Sequence, residues 1–163
     1  MNLHIIGVPL YQGCDIKGVE KGPDKLKASG LFKVAKDYGH HVEDKGNIAV
    51  PYDHQATAYQ DHDHIKYFST ILEVNQALSH QVYTSLKQGG FPFILGGDHA
   101  LGIGSLAGVS AYYARLGVIW IDAHGDLNIE ATSPSGNAHG MALAASIGLG
   151  DQQLQHVFFH DKK

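Results

Sequence analysis

Asp122, His124 and Asp126 stand two residues apart in the run Asp122-Ala123-His124-Gly125-Asp126. An extended backbone points alternate residues to the same side, so all three could face one point. Ala123 and Gly125 between them are small and leave the backbone free to bend around an ion. A fourth candidate, His99, follows Gly96-Gly97-Asp98 at the end of another apolar run. Two imidazoles and two carboxylates make a mixed nitrogen and oxygen donor set without a thiolate. Such a set suits manganese, iron, cobalt, nickel or zinc better than copper(I) or an iron–sulfur cluster. Any one of these residues alone has a plainer explanation: Asp98, just before a helical stretch, reads equally well as a helix cap.

Two strands are needed to bring the donors together. Phe91-Pro92-Phe93-Ile94-Leu95 and Leu116-Gly117-Val118-Ile119-Trp120-Ile121 are short apolar runs of the kind that form buried strands. If the two are parallel, their carboxyl ends lie on one edge of the sheet, where open α/β sheets place their ligands. The rest of the chain alternates in the same way. Leu3 to Val8, closed by Pro9, predicts the first strand. Pro23 opens a helix that runs to Gly39, and His41 to Asp44 predicts a short second strand. Residues 46 to 64 read as a polar loop. Ile65, Phe68, Ile71, Leu72, Leu78, Val82 and Leu86 form an apolar stripe ending at Gly89-Gly90, and a further helix is predicted over Leu101 to Arg115. A last helix follows His139. Strand and helix alternation of this kind predicts a three-layer α/β/α arrangement on a mainly parallel sheet, in a single domain over residues 1–163.

Two other clusters carry less. Asp61-His62-Asp63-His64 is metal-like in composition, but it precedes a helix and reads as a solvated acidic turn that complements the helix dipole. Gly102, Gly104 and Gly108 imitate a dinucleotide-type pattern, yet they fall inside a helix and not in a strand-to-helix turn. They are expected to let that helix pack closely on the sheet.

Composition narrows the function classes. The 163 residues carry a formal net charge of −4, which gives no electrostatic footprint for nucleic acid or an anionic membrane. No apolar run approaches membrane-spanning length, and the first residues lack the basic and apolar regions of a signal peptide. Cys14 is the only cysteine, which points to a reducing cytoplasm.

Taken in order, Gly96-Gly97-Asp98-His99, Asp122-Ala123-His124-Gly125-Asp126 and Ser135-Gly136-Asn137-Ala138-His139-Gly140-Met141 resemble the ordered signature of the ureohydrolase (arginase, agmatinase and formiminoglutamase) family. Ile5-Ile6-Gly7-Val8-Pro9 and Gly18-Val19-Glu20-Lys21-Gly22-Pro23 are similar to the family's opening strand and first helix entry. The resemblance implies hydrolysis of the guanidinium group of L-arginine to L-ornithine and urea by hydroxide held on two manganese ions, with agmatinase as the alternative. It makes His99, Asp122, His124 and Asp126 manganese ligands. It gives Asp126 a second role in orienting the hydroxide and makes His139 the proton-shuttling histidine. Asn128, Ser133, Ser135 and Asn137 become the groups that hold the substrate, the residues at 128 and 135 taking its α-carboxylate. A trimeric or hexameric homo-oligomer is also implied. Pro, Ser, Gly and Asn are turn residues, so 133–137 is equally a plain turn by composition.

Family members run to roughly twice this length, and their second half adds further aspartates to the metals. Nothing after Met141 matches that pattern, and Val157 to Lys163 end on an apolar note. The chain is therefore expected to be the amino-terminal, truncated part of a ureohydrolase-like domain, binding at most one manganese weakly and turning over little arginine. The rival of another class is a non-catalytic α/β module or degenerate fragment.

Overall fold

A computed structural model describes residues 1–51 and 57–158. Part of the expected 46–64 loop and most of the terminal segment from Val157 lie outside these residues.

Three strands, β1 (Asn2–Val8), β2 (His41–Asn47) and β3 (Phe91–Gly96), form a parallel sheet in the order β2-β1-β3. The central strand is buried along almost its whole length, as its unbroken apolar run requires. Its alternate side chains sort to two faces. Leu3 and Ile5 meet Leu31, Phe32 and Ala35 on one side, and Ile6 joins the larger core on the other. The first face is covered by α1 (Gly22–Ala28) and α2 (Leu31–Asp37), the second by α3 (Phe68–Lys87), on which α4 (Gly102–Tyr112) packs. Short helices α5 (Ala142–Ser146) and α6 (Gln152–Gln155) complete the larger core. The expected three layers on a parallel sheet are present.

Local chemistry accounts for most boundaries. The helix expected from Pro23 to Gly39 is two helices, broken at Ser29-Gly30, where Gly30 takes φ 94°. The stripe begins as expected with Ile65 fully buried, but helix α3 starts only at Phe68 because Tyr67 sits in the left-handed region. Asp61 accepts from the Ser69 amide at 2.9 Å, so the acidic turn does serve the start of this helix. The α4 glycines pack closely, though not against the sheet: Gly104 and Gly108 meet α3, and Gly102 meets Trp120 and Ala142. A Cβ on Gly104 would lie 2.5 Å from the Asn75 carbonyl oxygen, and one on Gly108 would lie 2.4 Å from that of Ser79. Asn75, fully buried, bridges the pair by accepting from the Gly104 amide at 2.7 Å and donating to the Ile71 carbonyl at 2.9 Å.

The expected strand at 116–121 is not formed. The helix before it ends early, at Tyr112, and Leu116 to Ile121 pair with no neighbour among the described residues. Ile119 and Ile121 are 89% and 93% exposed. An apolar run becomes a strand only where another backbone meets its amides and carbonyls, and none of the three strands reaches it.

Candidate metal centre and substrate cleft

The first donor is set by the end of β3. After Gly96 the chain turns on two backbone bonds, from the Gly97 amide to Val8 and from the Asp98 amide to Leu10, 3.2 and 2.9 Å long. Gly97 is required there, because a Cβ would lie 2.1 Å from the Leu10 carbonyl oxygen. Asp98 then caps a 3-10 turn, His99–Leu101, by accepting from the Ala100 amide at 2.8 Å. Its other oxygen accepts from the Gly13 amide, also at 2.8 Å. Burial pushes the Asp98 carboxyl above its usual value, and these two amide bonds oppose the shift. The cap reading of Asp98 therefore holds, and its effect is to fix the residue next to it, His99.

The His99 ring stacks on Trp120, with centroids 4.8 Å apart and planes 23° from parallel. Its Nδ1 lies 2.8 Å from Asp126 Oδ2 and 3.2 Å from Asp122 Oδ2. One ligand atom from each of His99, Asp122 and Asp126 falls within 4.8 Å of the others. The bond from the His124 amide, 2.7 Å long, holds the Asp122 carboxyl below its ordinary range. That same bond bends the backbone at Asp122, so the simple alternation of an extended strand is lost. The His124 side chain is 83% exposed and touches Asp122 Oδ1 at 3.2 Å, outside the three-residue group.

Asp126 supplies the test of whether a cation fits. It is only 8% exposed and adopts φ 49°. Although His99 Nδ1 is close, Asp126 Oδ2 is buried without a hydrogen-bond partner. A buried carboxylate oxygen without a donor costs about 1–3 kcal/mol or more, and buried charges are ordinarily paired or bound to a metal. The donors around it, one imidazole nitrogen and carboxylate oxygens, are those a hard or borderline divalent ion accepts.

The remaining candidates meet these three around one cavity of about 700 Å³, lined by His99, Asp122, His124, Asp126, Asn128, Ser133, Ser135, Asn137 and His139. His139 stands on a 3-10 turn, Ala138–Met141, and its amide donates to the Gly13 carbonyl at 3.1 Å. The Asn128 amide bonds to the Gly140 carbonyl at 3.1 Å, which closes the loop over that turn. Ser133 Oγ accepts from the Gly136 amide and Ser135 Oγ from the Asn137 amide, at 3.1 and 3.3 Å. The segment is thus a turn, as its composition suggested, and both hydroxyl protons are left to donate elsewhere. Asn137 spends its amide group on the Cys14 carbonyl at 3.0 Å.

Three contributors escape a reading of the sequence. Gly13 joins the two halves of the site through its amide and carbonyl, and a glycine in a loop carries no signal of that. Tyr59 donates from its hydroxyl to the Ser135 carbonyl at 3.1 Å, across a sequence distance no local pattern spans. Trp120 had a signal: it lies two residues before Asp122, on the side an extended chain shares with it.

Comparison with known proteins gives the family and the fold. The family model described as the arginase family matches residues 1–159. The chain belongs to the arginase family. It is 43% identical over 156 residues to the arginase of Brevibacillus brevis, covering 96% of this chain and 51% of that one. The solved native arginase of Bacillus caldovelox superposes with a TM-score of 0.89 at 40% identity, over 96% of this chain and 52% of its own. The 1.7 Å structure of Bacillus subtilis arginase gives 0.86 at 38% identity, with 98% and 52% covered. The chain thus spans about half the length of the curated relatives it matches.

Proposed function

We infer that this chain carries the metal-holding and substrate-holding loops of a manganese-dependent arginase, which hydrolyses L-arginine to L-ornithine and urea. The observation that carries the reading is the convergence of the buried Asp126 Oδ2, which makes no hydrogen bond, with His99 Nδ1 at 2.8 Å and Asp122, in the cavity that also receives His139 and the Asn128–Asn137 loop. His99, Asp122 and Asp126 would hold manganese, with His124 joining them after its exposed ring turns inward. Bound divalent ions lower the pKa of water and so make hydroxide available near neutral pH, which a guanidinium carbon, a poor electrophile, requires.

The chain's own residues do the rest. Asp126 presents an acceptor to the attacking water and fixes its direction. His139 lines the same cavity, and a histidine there can hand a proton to the departing amine. The Ser133 and Ser135 hydroxyls and the Asn128 amide group donate to the α-carboxylate of arginine; agmatine has none to hold. The single cysteine, free and mostly buried, supports a reducing cytoplasm as the compartment. No helix among the described residues is long and apolar enough to cross a membrane. A trimeric or hexameric assembly of the complete enzyme belongs to the same proposal.

Calorimetric titration with MnCl2, paired with urea release from arginine and from agmatine, tests this. One weak manganese site is expected here, weakened further by about tenfold or more in Asp126→Asn, with little turnover and any activity favouring arginine. Manganese binding indifferent to Asp126→Asn would refute the assigned site, and preference for agmatine would refute the substrate.

A further inference from the structure

Three non-glycine residues among the described ones take φ in the left-handed region: Asp15 at 57°, Tyr67 at 50° and Asp126 at 49°. A conformation so rarely held by a residue with a side chain persists only where the surroundings enforce it, and such residues gather at functional sites. Asp126 belongs to the metal group. The other two are bonded to each other. The Tyr67 hydroxyl donates to Asp15 Oδ1 at 3.0 Å, and the ammonium of the neighbouring Lys66 donates to Asp15 Oδ2 at 2.9 Å. The Lys66 bond, opposed by burial and aided by the Tyr67 bond, holds the Asp15 carboxyl below its usual range, so this acceptor is ionised at neutral pH.

Neither Asp15 nor Tyr67 lines the cleft; what they share is the turn that does. Ser135, Gly136 and Asn137 are each tied to the segments on which these two residues stand. The Ser135 carbonyl accepts from the Tyr59 hydroxyl and the Gly136 carbonyl from the Lys66 amide, at 3.1 and 2.9 Å. The Asn137 side-chain amide donates to the Cys14 carbonyl at 3.0 Å. The fit leaves no slack: a Cβ on Gly136 would lie 2.6 Å from the Tyr59 hydroxyl and 2.9 Å from the His64 carbonyl oxygen. The turn is thus hung between two supports, residues 59–66 and residue 14, and Asp15 locks the supports to each other.

We propose that Asp15 is a positioning residue for substrate: by fixing Lys66 and Tyr67 against the Cys14 segment, it holds the Ser135 hydroxyl where an α-carboxylate meets it, and so helps the site to tell L-arginine from agmatine. The proposal rests on the arginase reading for its substrate, though not for the brace itself. A hydroxyl proton reaches a carboxylate oxygen only within a narrow range of distance and angle. Displacing the turn therefore weakens the hold on arginine and leaves agmatine, which lacks that group, unaffected. A general loss of stability would weaken both alike.

The isotope-labelled chain is titrated with L-arginine and, separately, with agmatine, and its amide hydrogen exchange is followed by NMR. Asp15→Gly accepts the left-handed backbone and removes both bonds, whereas Tyr67→Phe removes one of them and leaves Asp15 in place. In the parent, L-arginine is expected to shift the Ser135 and Asn137 amides at lower concentration than agmatine does. Asp15→Gly is expected to lower that preference about tenfold or more, the worth of a bond to a charged group, and Tyr67→Phe to lower it by less. The Lys66 amide should exchange faster in both variants, by about tenfold or more in Asp15→Gly, while the Gly104 amide between α3 and α4 keeps the parent rate. Affinities for the two ligands that fall together, or a preference that survives Asp15→Gly, overturn the proposal, and so does an unchanged Lys66 exchange. A parent without any preference refutes the arginase substrate instead, and the Lys66 exchange then decides alone whether Asp15 holds the turn.

Discussion

Gly13→Ala isolates the backbone hub of the site. The glycine's φ lies outside the left-handed region, so alanine is acceptable to the backbone and only space decides. The new Cβ would lie 2.3 Å from Asp98 Oδ1, 2.9 Å from its Cγ and 2.5 Å from the Ala100 Cβ. Ordinary contacts are more than 1 Å longer, so either the Asp98 carboxylate or the loop must move by about that much. Overpacking of this kind costs about 1–3 kcal/mol. Moving the loop also stretches the amide bond into Asp98, which is 6% exposed, and a bond to a buried charged group is worth about 1.5–3 kcal/mol. The two costs overlap, because a single displacement relieves the clash and breaks the bond, so a loss of about 2–4 kcal/mol is expected. For a chain of this size that lowers Tm by roughly 5–15 °C. Gly125→Ala is the matched control: its Cβ would meet only Leu127 side-chain atoms, at 3.8 and 4.0 Å. Differential scanning calorimetry of both variants, with manganese titration of whichever stays folded, reads the outcome. A Gly13→Ala protein that melts within about 2 °C of the parent, with its manganese affinity intact, would show that the Gly13 hub does not hold the site.

Three further outcomes follow from the packing and the charges. Gly104→Ala drives a Cβ to 2.5 Å from the carbonyl oxygen of Asn75, a backbone atom with no freedom to yield, and should cost about 1–3 kcal/mol or more in urea unfolding; a neutral result would mean that α3 and α4 are not closely crossed. Asp61→Ala removes the acceptor of the Ser69 amide and should cost about 0.5–2 kcal/mol, seen as faster exchange in the first turn of α3; unchanged exchange there would deny the cap. His4, almost fully buried, contacts Ser85, Asn2 and Glu43, and burial, then the charge of Lys45, hold its imidazole below the usual value, against an upward pull from Glu43 and with a smaller downward push from His41. The folded protein then binds fewer protons than the unfolded chain. The contribution of His4 is complete above the unfolded pKa of about 6.5 and is lost as pH falls through the lower folded value, by no more than about 1.4 kcal/mol per pH unit. Urea titrations of the parent and of His4→Gln between pH 7.5 and 5 should show a flatter acid limb in the variant, and parallel limbs would remove His4 as the cause.

What was legible in the chain is what short-range patterns encode. β1 announces itself because a strand covered on both faces is apolar throughout, β3 because its apolar run is equally unbroken although Phe91 and Phe93 stay exposed, and α3 because its stripe repeats at helical spacing. The break at Gly30 is also local, yet it hides within an apolar periodicity that continues across it. The candidate site was legible as residue types in order, because a metal needs donors of particular chemistry whatever the backbone does. Its supports were not. Gly13 acts through its amide and carbonyl, which every residue possesses, and Tyr59 reaches Ser135 across 76 positions.

The unformed strand separates the donors into two kinds. His99 is fixed by β3 and by the Asp98 cap, and Asp126 is fixed where its carbonyl receives the Ala144 amide at 3.0 Å. Both stand on bonds within the folded core, so both are in place independently of what lies beyond β3. Asp122 and His124 stand on a bend held by their own mutual hydrogen bonds and by the contact of Asp122 Oδ2 with His99 Nδ1. Such a bend is the default of an Asp whose backbone has no ladder to join, since its side chain offers the following amides a partner. Pairing Leu116–Ile121 with another strand gives those amides a better partner and restores the alternation that points residues 122, 124 and 126 to one side. On the proposed reading, sheet completion and the recruitment of His124 would be one event. Manganese affinity should then rise with strand pairing in proportion to how far the Asp122 bend unwinds, and a His124→Asn substitution should weaken manganese binding in the completed sheet while leaving the isolated chain's weak site unchanged.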